Sequence, residues 1–144
     1  MNQIRALAIC VFCKNDRILV AEGYDPIKGE TFYRPLGGGI EFGEHSEETI
    51  RRELMEEIGA DVAQDSLRYL GTVENIFTFN GIAGHEIVMI YDGALKESRL
   101  YDQALIVGRE ANGEEIHAMW KKLDDFRAGK SILYPEGLIE LLSE

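Results

Sequence analysis

The sequence predicts a fold of the α/β class, with one domain over residues 1–144. Runs of β-branched and aromatic residues lie on both sides of an amphipathic helical segment in mid-chain, and a second helical segment lies near the C-terminus. Strands that alternate with helices are typical of this class. A length of 144 residues favours one domain and is enough to bury a hydrophobic core.

The first predicted elements are two strands joined as a hairpin. Residues 4–13 and 17–22 are apolar runs, and the Asn-Asp pair between them is a turn sequence. Cys10 and Cys13 have C-x-x-C spacing, but residues three apart in a strand point to opposite faces. The chain has no second cysteine pair or close histidine pair. We therefore interpret both cysteines as buried, reduced thiols and not as a zinc or redox site.

A loop over residues 24–30 and a short strand over residues 31–36 follow. The alternation of a strand places Phe32 and Arg34 on one face and the intervening residues on the other. Arg34 then has two alternative roles, a contact with a phosphate group or a structural salt bridge. The sequence does not decide between them.

A helix is predicted between Ser46 and Gly59. Ser46 is a suitable N-cap, because its hydroxyl can accept a hydrogen bond from a first-turn backbone N–H. Ile50, Leu54 and Ile58 recur at i, i+4 and i+8, and they form an apolar stripe. Gly59 stands where a residue in the left-handed conformation commonly ends a helix.

Beside the apolar stripe, the same helix carries Glu53, Glu56 and Glu57, which are neighbours at i, i+3 and i+4. Burial of such a group raises carboxyl pKa values unless a cation compensates, and clustered carboxylate oxygens suit Mg²⁺ or Mn²⁺. The alternative is a solvated acidic surface, since the chain has 26 acidic residues. The glycine cluster at residues 37–39 favours the metal hypothesis, because glycine lets the backbone approach a ligand closely.

Residues 38–60 resemble the Nudix box. That pattern is Gly, five residues, Glu, seven residues, Arg-Glu, an aliphatic residue, any residue, Glu-Glu, any residue, Gly and an aliphatic residue. The matching residues are Gly38, Glu44, Arg52, Glu53, Leu54, Glu56, Glu57 and Gly59. Ala60 departs mildly from the pattern, where a larger aliphatic residue is usual, and this affects packing and not chemistry.

The resemblance implies an α/β/α sandwich in which a mixed β-sheet is packed between helices. It also implies metal-dependent hydrolysis of the pyrophosphate linkage in a nucleoside diphosphate linked to another moiety. We assign Glu53, Glu56 and Glu57 as metal ligands, and the resemblance adds the carbonyl of Gly38. Glu44 either coordinates metal through water or holds the loop.

Two further roles concern the chemistry of the reaction. Arg52 lies one helical turn before Glu56 and is expected to orient that carboxylate. Glu53 is the first candidate for the general base, although the identity of the base varies within the family. Gly39 is assigned, with Arg34 and Phe77, to substrate binding.

After the box, residues 66–79 and 85–94 are predicted to form a hairpin, because Asn80-Gly81 between them is a strong turn sequence. Phe77 and Phe79 share one strand face. They could stack a nucleobase or pack in the core.

His85 is predicted to be a surface or hydrogen-bonding residue, and Glu86 is a candidate accessory carboxylate. Residues 96–105 have no clear assignment. Asn112-Gly113 predicts another turn, followed by a strand over residues 116–122 that contains Trp120.

Three acids surround the turn at Asn112-Gly113, namely Glu110, Glu114 and Glu115. The resemblance implies that a loop acid in this half of the chain can bind metal or act as base, but nothing selects one of the three. Near the C-terminus, Pro135 is predicted in the first turn of a helix with its leucine and isoleucine side chains directed inward.

The composition limits the classes of partner that the protein is expected to bind. A net charge of −11 argues against a nucleic-acid partner, because binding to a phosphate backbone needs clustered Lys and Arg. A small phosphorylated substrate stays compatible, since metal ions can supply positive charge. No apolar run approaches the length of a membrane span and no signal peptide is recognised, so we expect a cytoplasmic protein without membrane association. A monomer and a homodimer are both open.

The substrate class is open among compact members of the family. These include nucleoside triphosphate pyrophosphohydrolases, ADP-ribose pyrophosphatases and diadenosine polyphosphate hydrolases. The latter two often carry a Pro or a Tyr, respectively, in a window past the box, and residues 75–78 contain neither. A nucleoside triphosphate or nucleotide-sugar substrate is therefore favoured. A nucleotide-binding sensor without turnover is the alternative from another class, although the intact Arg-Glu and Glu-Glu pairs argue against it.

Overall fold

The computed structural model describes residues 2–143, and this part of the chain forms strands and helices in alternation. The strands are β1 (Ile4–Lys14), β2 (Arg17–Asp25), β3 (Glu30–Arg34), β4 (Leu36–Gly39), β5 (Arg68–Phe79), β6 (Ile82–Gly93), β7 (Leu105–Arg109) and β8 (Glu115–Lys122). The helices are α1 (Ser46–Ile58), α2 (Leu123–Arg127) and α3 (Leu138–Leu142), with a 3₁₀ turn at Ser98–Asp102. The predicted α/β class is confirmed.

The mixed sheet is continuous in the order β5-β6-β1-β2-β8-β7, with β4 paired to β1 and β3 paired to β2. The β1–β6 pair is parallel, and the hairpins are antiparallel. Both predicted hairpins are confirmed. In the second, Asn80 and Gly81 have φ values of 52° and 78°, as a tight type I′ turn requires. This short turn lets β6 begin at Ile82, earlier than predicted.

The sheet divides between β1 and β2, and this division creates a cleft. The two strands pair only through Cys13 with Ile18 and Lys14 with Arg17, next to their turn. Beyond these pairs they separate, and β4 and β3 line the opening. The single strand predicted over residues 31–36 is wrong, because Pro35 has no N–H to donate to a ladder and separates β3 from β4.

A hydrophobic core lies on each side of the sheet, so that the strands are packed between helices. Alternate residues of β1 point to opposite cores, and Ala8 faces α1 whereas Leu7 faces α2 and α3. On the first side, Ile50 and Leu54 of α1 are fully buried. This confirms the predicted apolar stripe and the α/β/α sandwich.

Two predictions near the chain ends need correction. Cys10 is buried as expected, but Cys13 is exposed near the end of β1, and both are free thiols. Pro135 is not in the first turn of the last helix, because α3 begins only at Leu138, after Gly137 at φ 89°. The short helix α2 was not predicted, since one turn carries too little periodicity to recognise.

The inward direction of the α3 side chains is confirmed, with Leu138 fully buried and its neighbours partly buried. No helix within residues 2–143 combines the length and the apolar character needed to span a bilayer.

Candidate active site

The acidic helix α1 begins one residue earlier than a Ser46 cap would place it. His45 is the N-cap, and its backbone N–H donates to Glu48 Oε1 at 2.9 Å. The Ser46 hydroxyl instead hydrogen-bonds the Tyr91 hydroxyl of β6 at 2.6 Å. The Ser46 hydroxyl, which was predicted to cap the helix, is therefore used in a contact with β6. The predicted end is confirmed, since Gly59 is left-handed at φ 66°.

Arg52 is the centre of the ion-pair network on this helix. Its Nε and Nη2 atoms bind the two carboxylate oxygens of Glu44 at 2.8 Å and 3.0 Å. Its Nη1 atom contacts Glu53 at 2.9 Å and Glu56 at 3.3 Å, and Nη2 also donates to the Gly39 carbonyl at 3.1 Å. The predicted contact with Glu56 is present, but the bidentate bond to Glu44 is the stronger geometry. Arg52 therefore ties the loop and the glycine strand to the helix.

Glu44 is fully engaged within the protein. Besides Arg52, its Oε1 atom accepts hydrogen bonds from the Thr49 hydroxyl at 2.6 Å and from the Glu41 backbone N–H at 3.2 Å. The Arg52 and Thr49 hydrogen bonds lower the pKa of Glu44 to about 2. Of its two hypothesised roles, this geometry favours holding the loop.

Glu57 has the opposite environment. Its Oε1 atom is buried and has no hydrogen-bond partner among the residues that the structure describes. Burial, followed by the charges of Glu53 and Glu110, raises the pKa of Glu57 to about 8. The Arg34 guanidinium and the Gly37 backbone N–H act in the other direction. One buried oxygen of this carboxylate thus lacks a hydrogen-bond donor in the described part of the chain.

Glu53 lies directly against the glycine strand. A Cβ atom placed on Gly38 would be 2.5 Å from the carboxyl carbon of Glu53, so a side chain there would displace the carboxylate. Burial raises the pKa of Glu53, and its hydrogen bond with Arg52 opposes that shift. Glu56 is more exposed, with 57% of its side chain accessible.

The structure does not form a finished metal site from these acids. Within residues 2–143, no three side chains of the metal-ligating types lie grouped as a ready-made ligand set. Glu53 and Glu56 each give one carboxylate oxygen to Arg52, and all three acids of α1 line the cleft. The chemistry of the donors nevertheless fits a hard divalent cation, because all are carboxylate oxygens and one is buried without a partner.

The cleft between the two halves of the sheet has a volume of about 1170 Å³. It brings together the acids of α1, the glycines of β4 and Arg34 of β3, and the loop between β7 and β8 closes one side. Arg34 makes no close ion pair with any described residue, so the salt-bridge alternative is not observed. All three acids around the Asn112-Gly113 turn line the cleft, and Glu110 is the one whose charge raises the pKa of Glu57.

Aromatic residues form the remaining wall. Phe77 and Phe79 both line the cleft, and neither belongs to the two hydrophobic cores of the described residues. Phe79 contacts Phe32 edge-to-face with 5.8 Å between ring centroids, and Phe32 contacts Tyr134 in the same way at 5.5 Å. His85 hydrogen-bonds Glu74 at 2.9 Å, as predicted for a hydrogen-bonding residue.

The sequence did not identify Arg5, Asn75 or Tyr134, which also line the cleft. These residues stand in no local motif. Only the pairing of β1 with β6 and of β5 with β6, together with the return of the C-terminal segment, brings them to the same space. No spacing in the sequence could have indicated them.

The model of the NUDIX domain matches residues 1–140. A NUDIX hydrolase from Nitrosomonas europaea is similar in structure, with a TM-score of 0.66 and 15% identity over 98% of this chain and 87% of the other.

A MutT NUDIX hydrolase from Burkholderia pseudomallei also has a TM-score of 0.66, with 22% identity over 98% of both chains. A MutT protein from Bacillus halodurans has a TM-score of 0.58 and 19% identity over 98% of this chain and 81% of the other. At these identities the structural similarity establishes the fold.

Proposed function

Because this chain belongs to the Nudix family and is a Nudix pyrophosphohydrolase, we propose that it hydrolyses a nucleoside diphosphate linked to another moiety, with a divalent metal ion at α1. A nucleoside triphosphate or a nucleotide-sugar type compound is the substrate that we favour. The family acts on small nucleotide substrates in general, and the finer assignment is our own.

One observation supports this proposal above the others, namely the buried and unpaired Oε1 atom of Glu57 at the edge of the cleft. A carboxylate in this state is unfavourable in the protein alone, because burial removes water from the Oε1 atom and no donor replaces it there. A divalent cation compensates such a group. The surplus of acids around the cleft has the same explanation.

Glu53, Glu56 and Glu57 are the residues that would hold Mg²⁺ or Mn²⁺, with the Gly38 carbonyl as an additional ligand. When bound, the ion neutralises charge on the pyrophosphate oxygens and lowers the pKa of water. Glu44 is placed outside this set, because Arg52 and Thr49 occupy its oxygens. It holds the loop in the arrangement that the ligands need.

The protein residues then have separable tasks. Arg34 faces the cleft without a close ion pair and is proposed to bind a phosphate group. The bare backbone of Gly38 and Gly39 leaves room for the diphosphate beside Glu53. Phe77 is proposed to contact the base of the substrate.

In the proposed reaction, water attacks a phosphorus atom in line with the leaving oxygen. One P–O bond forms while the P–O bond to the leaving phosphate breaks, and a carboxylate accepts the proton of the water. Glu53 remains the first candidate for this base, because its raised pKa brings it closer to neutral pH. Glu110 is the second candidate, selected among the loop acids by its proximity to Glu57.

A substrate panel tests the proposal. Nucleoside triphosphates, nucleotide sugars, ADP-ribose and diadenosine polyphosphates are incubated with Mg²⁺, and with chelator in matched samples. We expect chelator-sensitive hydrolysis of at least one member, and reaction in ¹⁸O-labelled water identifies the phosphorus that is attacked. Binding of nucleotides without any turnover would instead support a sensor.

A further inference from the structure

The wall of the cleft formed by β5 and β6 holds two polar side chains that are almost completely buried. Asn75 of β5 is 5% exposed and Glu86 of β6 is 6% exposed, and both line the cleft. They are paired residues in the antiparallel ladder. Such partners lie side by side on one face of a sheet. An amide and a carboxylate therefore project together toward the cleft.

The amide oxygen of Asn75 accepts a hydrogen bond within the protein, whereas its amino group donates none within residues 2–143. Its Oδ1 atom accepts a hydrogen bond from the Glu136 backbone N–H at 3.2 Å. This bond fixes the orientation of the amide, because a flipped amide would place two donors against each other. The Nδ2 atom donates to no residue that the structure describes. Because Asn75 lines the cleft, this free donor is available to a ligand that binds there.

The carboxylate of Glu86 has no hydrogen bond either. Its nearest charged neighbour is Arg5, whose Nη1 atom is 4.0 Å away, which is beyond hydrogen-bond distance. Neither oxygen accepts a hydrogen bond from the described part of the chain. An ionised carboxylate only accepts hydrogen bonds, so a ligand that satisfies Glu86 must present N–H or O–H donors.

Next to this pair is a flat apolar surface. Phe77 lies two residues from Asn75 on the same strand face, and its ring covers its cross-strand partner Gly84. A side chain at Gly84 would collide with that ring. Aromatic rings stack planar ligands independently of sequence-specific contacts. A planar ligand with a hydrogen-bonding edge fits both features together.

We propose that Asn75 and Glu86 bind the edge of a guanine base in the substrate. Guanine presents a carbonyl oxygen, a ring N–H and an amino group in sequence along one edge. The Asn75 amino group would donate to the carbonyl, and the Glu86 carboxylate would accept from the two adjacent donors. The bidentate arrangement discriminates strongly, because a wrong base would cover these groups and leave them unpaired.

The other bases do not match this arrangement. Adenine would place an unprotonated ring nitrogen against Glu86, and cytosine and uracil offer one donor group flanked by an acceptor. Hypoxanthine lacks only the amino group of guanine, and we therefore expect it to bind with an affinity between those of guanine and adenine. The inference rests on the proposed function, because it takes the substrate to be a nucleotide with its phosphates at α1.

Binding of nucleoside monophosphates tests the inference without any need for turnover. The affinities of GMP, IMP and AMP are measured by calorimetry with chelator present. We expect GMP to bind at least tenfold more tightly than AMP, with IMP between them. Equal affinities for the three would overturn the inference.

Two nearly isosteric variants assign the effect to the pair. Glu86→Gln replaces one acceptor by a donor, and Asn75→Asp replaces the free donor by an acceptor while keeping the Glu136 contact. Each is expected to reduce the preference for GMP over AMP about tenfold or more. Glu74→Gln is the matched control, because Glu74 adjoins Asn75 on the opposite strand face and is exposed. A preference that survives in Glu86→Gln would contradict the assignment.

Hydrolysis separates this inference from the proposed function. The values of kcat/KM for GTP, ITP and ATP should follow the same order, and the Glu86→Gln protein should lose that order. Hydrolysis of all three at equal rates would leave the proposed function intact and overturn the guanine assignment. Selective, Glu86-dependent binding of GMP without hydrolysis of any panel member would support the guanine assignment and overturn the proposed function.

Discussion

The two ends of the acidic surface on α1 differ in how their carboxylates are compensated. Toward the N-terminal end, the guanidinium of Arg52 binds Glu44, Glu53 and Glu56, and the pKa of Glu44 falls to about 2. Toward the C-terminal end, Glu57 is buried with one oxygen unpaired, and its pKa rises to about 8. Residues of one type in one motif therefore have opposite energetics.

This difference teaches which acids are structural and which await a ligand. Glu44 has both oxygens occupied by protein donors, so it stabilises the fold and has little capacity left for a metal, whereas Glu53 and Glu56 each give only one oxygen to Arg52. A buried carboxylate with an unpaired oxygen, such as Glu57, lowers stability in the free protein, and binding of a cation compensates it. The order of the residues in the box does not reveal this division.

The largest effect is expected from removing the charge of Glu57, whose Oε1 atom is unpaired within the described chain. Glu57→Gln should lower kcat roughly 10²–10³-fold, because it removes a group that supports charge stabilisation in the transition state. It should not destabilise the metal-free protein at pH 8, since the buried charge is gone. Kinetics and urea unfolding measure the two effects. Glu47→Gln, at an exposed position in the first turn of α1, is the control.

Arg52→Gln should affect the carboxylates that Arg52 binds, and its main effect should be to lower the stability of the protein. The change leaves the carboxylates of Glu44 and Glu53 without their cation, so the free energy of unfolding should fall by about 1–3 kcal/mol. Urea unfolding measures this change. Arg99→Gln is the control, because the Arg99–Glu97 pair lies at the surface and contributes little. Equal stabilities of the two variants would contradict the anchoring role of Arg52.

Gly38→Ala should have an intermediate effect on activity. The new Cβ would press on the Glu53 carboxyl group, which can move only by leaving its present place beside Arg52. We expect kcat to fall about tenfold or more, with a stability loss of about 1 kcal/mol, because the contact is with the end of a side chain. Unchanged kcat would show that the position of Glu53 is unimportant.

The pH dependence of stability should differ in sign between the two ends. Glu44 has a lowered pKa, so its contribution is present above its ordinary pKa of 4.5 and is lost as pH falls toward 2. Glu57 has a raised pKa, so its contribution is present below 4.5 and is lost as pH rises through 8.

Urea unfolding of the metal-free protein across this pH range checks both signs. Glu44→Gln should remove part of the decline in acid, and Glu57→Gln should remove part of the decline toward alkaline pH. If both variants altered the same pH window, the comparison between the two ends would be wrong.

Much of the fold and the core of the site could be predicted from local sequence. The stripe of Ile50, Leu54 and Ile58 and the left-handed Gly59 follow from helix periodicity and backbone sterics. The Asn80-Gly81 hairpin follows from the φ values that such a turn requires. These features depend on residues close together in the chain, and so a sequence can indicate them.

Other features could not be predicted because distant residues decide them. The N-cap moved to His45 since Tyr91 of β6 binds the Ser46 hydroxyl. The strand predicted over residues 31–36 breaks at Pro35 for a local reason, but the sequence did not show that its two parts pair with different strands, β2 and β1. In both cases the predicted type of element was correct, and a contact with a distant part of the chain changed its boundary or its pairing.

The sequence by itself determined that acids spaced along α1 follow a glycine strand, because helical geometry makes residues at i, i+3 and i+4 neighbours in any fold. Only the tertiary structure decided which acid is neutralised by Arg52 and which is buried without a partner. It also placed Asn75 beside Glu86, through the pairing of β5 with β6. The physical reason is that pKa values and unsatisfied hydrogen bonds depend on burial and neighbours in space, and chain order does not contain these.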